Sequence, residues 1–208
     1  MSISAIIFDF GGVINNTRWE VARELEDEHG LERNALLESL YRNEDWRDVE
    51  EGRGDIVQWA VNAHKQLEAN AGKKLPPLHQ QWRDSWGLIE ENIELIKGLK
   101  PQYKVSILSN ADLNLEERIK DGMDIHHLFD DIISSAVVGV AKPKHEIYEL
   151  AAKRLELPVE ECVFIDDAER NVTAAREVGM MAIHFRVHQG DVLAAQLAEL
   201  GVRLAGPA

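Results

Sequence analysis

The sequence predicts an α/β protein: a mostly parallel sheet with helices on both faces, interrupted by an all-helical insertion. Short apolar, β-branched runs alternate with helical segments near both chain ends, as expected for a parallel sheet. Helical spacing alone fills the region between them, and polar side chains follow three of the strands. We therefore divide the 208 residues into a core, residues 1–14 and 100–208, and an insertion, residues 15–99.

The first predicted strand is the near-continuous apolar run ISAIIFDF, which two glycines close. Helical spacing then begins. Asp55 is the predicted N-cap of the helix IVQWAVNAHKQLEANAG, which stops near Gly72. A longer helix is predicted over 79–99 with a break near Gly87, and we predict no strand within the insertion.

Alternation of strands and helices returns after the insertion. The predicted strands are 103–110, 130–135, 162–167 and 180–185, and the predicted helices are 144–156, 169–178 and VLAAQLAEL near the end. Crossover helices between strands of one sheet are typical of parallel pairing. The two parts of the predicted core therefore form one sheet.

Composition and charge limit the classes of partner. The net charge of −14 argues against a broad nucleic-acid or anionic-membrane surface, because either needs clustered Lys and Arg. A single cysteine, Cys162, excludes an internal disulfide framework. The N-terminal apolar run lacks a basic start and contains Asp9, and no apolar run reaches membrane length. We expect a cytoplasmic protein with no nucleic-acid or membrane partner; its oligomeric state cannot be predicted from the sequence.

Polar residues collect where the predicted strands end. Ligands of open α/β sheets bind beyond the carboxyl ends of the strands, so these side chains should meet at one edge. The segment GVAKPKHEIY adds a lysine immediately before a proline. The residues concerned are Asp9, Ser109, Asn110, Lys142, Asp166 and Asp167.

These residue types suit phosphoryl chemistry. Three neighbouring carboxylates repel each other and make an oxygen cage for Mg²⁺. A lysine neutralises phosphate charge from the other side, while a hydroxyl and free backbone N–H groups hold the remaining oxygens. An aspartate held in line can attack phosphorus, and glycines let the backbone come close. Each residue alone has a plainer interpretation as a cap, a turn or a solvated side chain; their order on consecutive strand ends favours a site.

In the stretches IIFDFGGVI, VSILSNA, GVAKPKHEIYELA and VFIDDAERNVTAAREVGM, the chain resembles the haloacid dehalogenase-like (HAD) hydrolases. The resemblance is to the capped subfamily I branch, in which a helical cap follows the first strand. It implies a Rossmann-like three-layer α/β/α core with the insertion as the cap. It also implies a Mg²⁺-dependent phosphatase of a small phosphorylated metabolite, acting through an aspartyl-phosphate.

The resemblance assigns a role to each matching residue. Asp9 is implied as nucleophile, and Lys142 as the cation that bridges nucleophile and phosphate. Asn171 is implied as a support for the acidic pair. The implied phosphate-binding residues are Ser109, Asn110, Gly11 and Gly12, and the implied metal ligands are Asp9, the Gly11 carbonyl, Asp167 and, beside it, Asp166.

Gly11 departs from the pattern of the family's phosphatases, which carry a second aspartate at this position. Glycine retains the carbonyl that the resemblance assigns to the metal, but it lacks the side chain that acts as general acid and base. Such catalysis contributes roughly 10²–10⁴-fold, so activity is expected to be reduced or specialised. Two alternatives remain open: a catalytically impaired HAD scaffold with a binding or regulatory role, and a metal-independent 2-haloacid dehalogenase. The retained acidic pair argues against the dehalogenase.

The segment RNEDWRDVEEGRGD (42–55) joins two predicted cap helices. In capped relatives this region lies over the active site and selects the substrate. Trp46 is the tryptophan most suited to face a substrate, and Arg47 or Arg53 could meet a polar leaving group. Glu51 could donate the proton that Gly11 cannot. The plainer interpretation is a solvated charged turn, with the tryptophans filling the core of the cap.

Overall fold

The computed structural model describes residues 2–204. The strands are β1 (Ala5–Phe8), β2 (Asn15–Asn16), β3 (Gly87–Leu88), β4 (Lys104–Ser109), β5 (Asp131–Ser134), β6 (Cys162–Asp166) and β7 (Met181–His184). The α-helices are α1 (Trp19–Glu28), α2 (Ala35–Tyr41), α3 (Glu44–Glu50), α4 (Ile56–Ala71), α5 (Leu78–Asp84), α6 (Glu90–Leu99), α7 (Leu115–Glu117), α8 (Ser135–Val138), α9 (His145–Arg154), α10 (Glu169–Glu177) and α11 (Leu193–Glu199).

The main sheet has five strands in the order β5-β4-β1-β6-β7, and every pair in it is parallel. The predicted α/β, Rossmann-like fold is therefore confirmed. β1 is the central strand, and all four of its residues are fully buried because both its edges and both its faces are covered. Phe8 lies opposite Ile107 of β4 and Ile165 of β6, which brings the ends of these three strands to one level.

Helices cover the sheet on both faces. Alternate residues of a strand point to opposite faces, and Ile6 accordingly belongs to one apolar cluster and Ile7 to the other. α6 and α11 pack on the first face, and α9 and α10 on the second. The result is a three-layer core whose polar strand ends share an edge.

The helices α1 to α5 have an apolar cluster of their own, in which Trp59 and Trp82 are almost completely buried. The short antiparallel pair of β2 and β3 connects them to the core, with Asn16 opposite Gly87. α6 instead contributes its apolar face to the cluster of the main sheet. Packing therefore favours a cap that ends near Gly87, earlier than the predicted boundary at residue 99, which stays a prediction.

Local signals predicted one cap helix well and another poorly. The Asp55 carboxylate caps α4 through the N–H groups of Val57 and Gln58, and Gly72 ends it at a φ of 63°. The predicted break near Gly87 is confirmed, but it separates two helices, α5 and α6. The expectation of no strand in the insertion was wrong, because β3 lies in this break and a two-residue strand is too short to show a period of two.

The longest helix in the described part, α4, has 16 residues. No helix between residues 2 and 204 combines the length and the apolar character that crossing a membrane requires.

Candidate active site

Asp9 directly follows the central strand and is buried at its carboxyl end. Its backbone N–H donates to the carbonyl of Ile165 at 2.7 Å, which extends the pairing with β6 by one residue. Its Oδ1 accepts hydrogen bonds from the Phe10 N–H at 2.7 Å and from Lys142 Nζ at 2.9 Å. Within residues 2–204, Oδ2 accepts none, so one carboxylate oxygen is fixed by protein donors and the other is not.

Lys142 is buried between two carboxylates, 2.9 Å from Asp9 Oδ1 and 2.6 Å from Asp166 Oδ2. Burial lowers the pKa of the Lys142 ammonium, but the two ion pairs outweigh that effect and leave it above its usual value. Asn110 fixes the lysine backbone through a reciprocal pair of hydrogen bonds, at 2.9 Å to the Lys142 carbonyl and 2.8 Å from its N–H. A permanent cation is therefore held between β1 and β6.

Asp166 is the most enclosed carboxylate of the group, with no exposed surface. Asn171 Nδ2 lies 3.0 Å from both of its oxygens, and the Ala168 N–H donates to Oδ1 at 2.8 Å. The Tyr148 hydroxyl donates to the Asn171 carbonyl at 2.9 Å, which anchors this support to α9. Protein donors thus hold Asp166 firmly at the end of β6.

The three carboxylates form a cluster that suits a divalent cation. Asp9, Asp166 and Asp167 each offer one oxygen, and these atoms lie within 4.8 Å of one another. Burial and repulsion raise the pKa of Asp167 to about 8, and burial raises that of Asp9 to about 6 despite the nearby lysine. Hard oxygen donors are what Mg²⁺ prefers, and a bound cation would relieve this repulsion. The donor set therefore fits the metal that the sequence predicts.

The two glycines after Asp9 have different surroundings. Gly12 has a φ of 75°, and a Cβ built there would overlap the Asp167 carboxylate, 2.6 Å from its Cγ. A Cβ on Gly11 would meet only Thr17 Cγ2, at 3.8 Å, among the described residues. Ser109, the last residue of β4, is buried opposite Ser134 at the same edge. The predicted phosphate-binding residues are thus brought together, while their roles remain predictions.

The predicted specificity residues of the cap differ in placement. Trp46 packs inside the cap, with its ring centroid 4.9 Å from that of Tyr41, whereas Arg47 is exposed. Arg53 pairs with Asp48 at 2.9 Å and also with Glu51. These three cap positions therefore face the cap interior, solvent and an ion pair within the loop respectively.

Glu51 makes two ion pairs, one to Lys144 of the core and one to Arg53. Hydrogen bonds from these cations, Lys144 first, hold the pKa of the Glu51 carboxyl below its usual value. A carboxylate kept ionised in this way is a poor proton donor. The predicted role of Glu51 is thus disfavoured, although its position at the boundary between cap and core agrees with a function in closure.

One residue near the site, His184, was not predicted to belong to it. His184, at the end of β7, places Nε2 3.0 Å from the Asp167 carbonyl. Glu50, the last residue of α3, is half-buried, and burial raises the pKa of its carboxyl above the usual value.

Comparison with known proteins gives independent evidence for the family of this chain. The family model for haloacid dehalogenase-like hydrolases matches residues 3–179. The sesquiterpene phosphatase astK of Aspergillus oryzae is 27% identical over 189 residues, covering 88% of this chain and 90% of that protein. A D-ribitol-5-phosphate phosphatase of Bacteroides thetaiotaomicron is 26% identical over 189 residues, covering 85% of this chain and 89% of that protein.

The fold has a solved counterpart in a HAD family enzyme of Bacteroides thetaiotaomicron, determined as a magnesium complex. The TM-score is 0.71 at 19% identity, and the match covers 95% of this chain and 99% of the other. The likeness in structure establishes the fold, and the family model covers most of the chain. The chain therefore belongs to the haloacid dehalogenase-like hydrolases.

Proposed function

We propose that the protein is a Mg²⁺-dependent phosphomonoesterase that transfers the phosphoryl group of a small metabolite to Asp9 and then to water. The observation that carries this proposal is the carboxylate of Asp9, which Phe10 and Lys142 fix through Oδ1 and which belongs to a group of three carboxylates that could hold a metal ion. Such an arrangement supports in-line attack by one oxygen of defined position.

Charge around Asp9 supports binding of a phosphate. Lys142 keeps its positive charge beside the nucleophile, and its backbone is fixed by Asn110. In the proposal, Ser109 and the backbone of Asn110, Gly11 and Gly12 bind the phosphate oxygens. Lys142 offsets the charge that develops on them during transfer.

The proposed metal ligands are oxygens of Asp9, Asp167 and the Gly11 carbonyl, with Asp166 beside them. When bound there, Mg²⁺ supplies positive charge that neutralises phosphate oxygens. Asn171 and Ala168 orient Asp166, and His184 contacts the Asp167 backbone, so the ligands are positioned by a surrounding shell.

A small phosphorylated metabolite is the proposed substrate class. The cap packs against the core near the site, where Glu51 pairs with Lys144. A covered site of this kind favours small substrates over phosphorylated proteins or nucleic acids. The names of the two relatives, a sesquiterpene phosphatase and a D-ribitol-5-phosphate phosphatase, agree with a small phosphorylated substrate while differing in its organic part.

The test is hydrolysis of p-nitrophenyl phosphate and of a panel of phosphorylated metabolites, with Mg²⁺ and with EDTA. We expect Asp9→Asn to abolish hydrolysis, because an amide cannot accept the phosphoryl group, and EDTA to do the same. The matched control is Asp27→Asn, the same change at an exposed position of α1, which should leave the rate unchanged.

Each alternative has its own result in this test. Chloride release from 2-chloropropionate that persists in EDTA would identify a dehalogenase instead. A wild-type protein that binds neither Mg²⁺ nor inorganic phosphate would identify a scaffold without this chemistry. Hydrolysis that survives Asp9→Asn would contradict the proposed nucleophile.

A further inference from the structure

Asp166 and Asp167 are neighbours in the chain, but their carboxylates are held in different ways. Three protein groups donate to the Asp166 carboxylate: Lys142 Nζ, Asn171 Nδ2 and the Ala168 N–H. In the described part of the chain, no other residue donates a hydrogen bond to the carboxylate of Asp167. The direction of the Asp167 carboxylate therefore has to be set through its backbone.

The backbone of Asp167 lies between the end of a strand and the start of a helix. The Asp166 carbonyl still belongs to the sheet, because it accepts a hydrogen bond from the Phe185 N–H at 3.1 Å. The Ala168 carbonyl already belongs to the first turn of α10, where it accepts from the Asn171 N–H at 2.9 Å. The Asp167 carbonyl lies between these two patterns and needs a partner from elsewhere.

The side chain of His184 supplies this partner. His184 is the last residue of β7 and lies opposite Asp166 in the parallel pairing with β6. Its Nε2 is 3.0 Å from the carbonyl oxygen of Asp167. A carbonyl oxygen can only accept, so Nε2 carries the hydrogen and donates it. Strand pairing thus places an imidazole where it can fix the backbone of Asp167.

The carboxylate of Asp167 has little freedom to move without leaving the acidic cluster. One of its oxygens lies within 4.8 Å of an oxygen of Asp9 and of Asp166. On another side it lies against Gly12, since a Cβ built there would be 2.6 Å from Asp167 Cγ. A rotation of the backbone at this residue would drive the carboxylate into Gly12 or away from the cluster. The hydrogen bond from His184 opposes such a rotation.

We propose that His184 is a positioning residue of the metal site, whose hydrogen bond to the Asp167 carbonyl directs the Asp167 carboxylate into the acidic cluster. This role rests on the proposed function, in which Asp167 is a ligand of Mg²⁺. Asp166 needs no such residue, because protein donors hold its carboxylate directly. Removing a group that orients a metal ligand typically lowers metal affinity about 10–100-fold. His184 acts through Asp167 and is assigned no contact with the substrate.

The experiment compares His184→Met with His184→Gln by isothermal titration calorimetry with Mg²⁺. Both side chains have a similar length, but glutamine keeps an N–H donor near the position of Nε2 and methionine has none. We expect His184→Met to raise the Kd for Mg²⁺ about tenfold or more, and His184→Gln to stay within about threefold of the wild type. Hydrolysis of p-nitrophenyl phosphate by His184→Met should fall at low Mg²⁺ and return toward the wild-type rate at saturating Mg²⁺.

Two controls separate this role from a contribution to folding. His188→Met makes the same change at an exposed position of the turn that follows β7, and it should leave the Kd for Mg²⁺ unchanged. Thermal unfolding in EDTA reports on the fold without metal. If His184 only stabilised the sheet, His184→Met would lower the Tm in EDTA and leave the Kd for Mg²⁺ as it is.

A double variant tests whether the effect passes through Asp167. A side chain at Gly12 also displaces the Asp167 carboxylate, so Gly12→Ala and His184→Met act on the same ligand. Changes that share a target are not additive. The double variant should therefore bind Mg²⁺ only slightly more weakly than the weaker of the two single variants. Losses that multiply in full would show that His184 acts through another group.

Other results would also overturn the proposal. A wild-type Kd in His184→Met would show that the hydrogen bond has no effect on the metal site. An equal loss in His184→Gln and His184→Met would show that the ring, and not its N–H group, is what matters. If the wild type binds no Mg²⁺, the proposed function fails together with this role. If it binds Mg²⁺ and hydrolyses p-nitrophenyl phosphate while His184→Met behaves like the wild type, the role of His184 alone fails.

Discussion

At the scale of single residues, the two adjacent glycines that follow Asp9, the proposed nucleophile, serve different purposes. Gly12 needs both its positive φ of 75° and its missing Cβ, because the Asp167 carboxylate occupies the space of a side chain. Gly11 needs neither, since its surroundings would accept a Cβ. Gly11 instead lacks a side chain that could transfer protons, at a position where a side chain would fit.

Gly12→Ala is therefore expected to displace Asp167 and to weaken Mg²⁺ binding. In the wild type, Mg²⁺ at about a hundredfold above its Kd should raise the Tm by roughly 5–10 °C, and this increment should be lost in the variant. The matched control is Gly30→Ala, at a φ of 62° with free space around its Cβ among the described residues, which carries the backbone penalty alone. Both are measured by thermal unfolding with and without Mg²⁺; an intact increment in Gly12→Ala would contradict the predicted displacement.

The same increment should depend on pH in a defined direction. Without metal, the pKa of Asp167 is raised from 3.8 to about 8, so this group stabilises the fold less as pH rises between these values. Mg²⁺ binds the deprotonated carboxylate, and its affinity rises over the same interval. The Mg²⁺-induced rise in Tm should thus be larger at about pH 8.5 than at about pH 6. An increment that is greater at the lower pH would count against Asp167 as a ligand.

The placement of Asp9, Lys142, Asp166 and Asp167 could be predicted from the sequence because the geometry of parallel sheets is regular. Strand ends share an edge, so Asp9 after β1 and the acidic pair at the end of β6 meet whatever the helices do, and the segment that follows β5 brings Lys142 to the same edge. The contact of Gly52 with the Ala136 carbonyl could not be predicted in the same way. It depends on the docking of the cap on the core, which is a tertiary contact with no periodic signal in the sequence.

At the scale of elements, the junction between α3 and α8 controls how the cap meets the site. Gly52 lies against the Ala136 carbonyl, and the pair between Glu51 and Lys144 crosses the same boundary. An exposed ion pair contributes at most about 1 kcal/mol, so close backbone packing is the more exacting of the two contacts. A side chain at residue 52 should separate α3 from the core without disturbing either cluster.

Gly52→Ala is expected to loosen this junction. Backbone strain and overpacking together should cost about 2–4 kcal/mol if the contact stayed closed, so the cap contact should open instead. Hydrogen exchange of residues 44–51 is expected to be faster than in the wild type. Gly72→Ala has a similar φ of 63° and nothing within 4 Å of its Cβ in the described part of the chain, and it should leave this exchange unchanged. Equal exchange in both variants would mean that the junction is not held by Gly52.

The stretch around Gly87 shows where element prediction from periodicity ends. The helical signal on either side is correct, with α5 before and α6 after it. Between them, β3 pairs with β2 across more than seventy residues of chain, and pairing of two residues leaves no alternation to detect. Such pairing depends on the assembled cap, so only the tertiary structure reveals it.

At the scale of the whole molecule, the buried apolar residues divide into those of the cap and those of the main sheet. The short pair of β2 and β3 connects the two parts. α1 to α5 surround one cluster, and the main sheet organises the others. α6 belongs with the sheet, to which it contributes Ile93, Leu95, Ile96 and Leu99. All the proposed metal ligands also belong to the part of the chain that contains the sheet.

This division predicts which deletion of the cap leaves a core that still folds. β2 and β3 are antiparallel, with Asn16 opposite Gly87, so an Asn-Gly turn can replace residues 17–86 and close a hairpin. We expect that variant to unfold cooperatively and to keep the Mg²⁺-induced rise in Tm. Replacing residues 15–99 also removes α6, whose four buried apolar side chains contribute roughly 6–12 kcal/mol, about the whole stability of a domain. That second variant should not fold by circular dichroism; if it folds while the first does not, the boundary lies at residue 99.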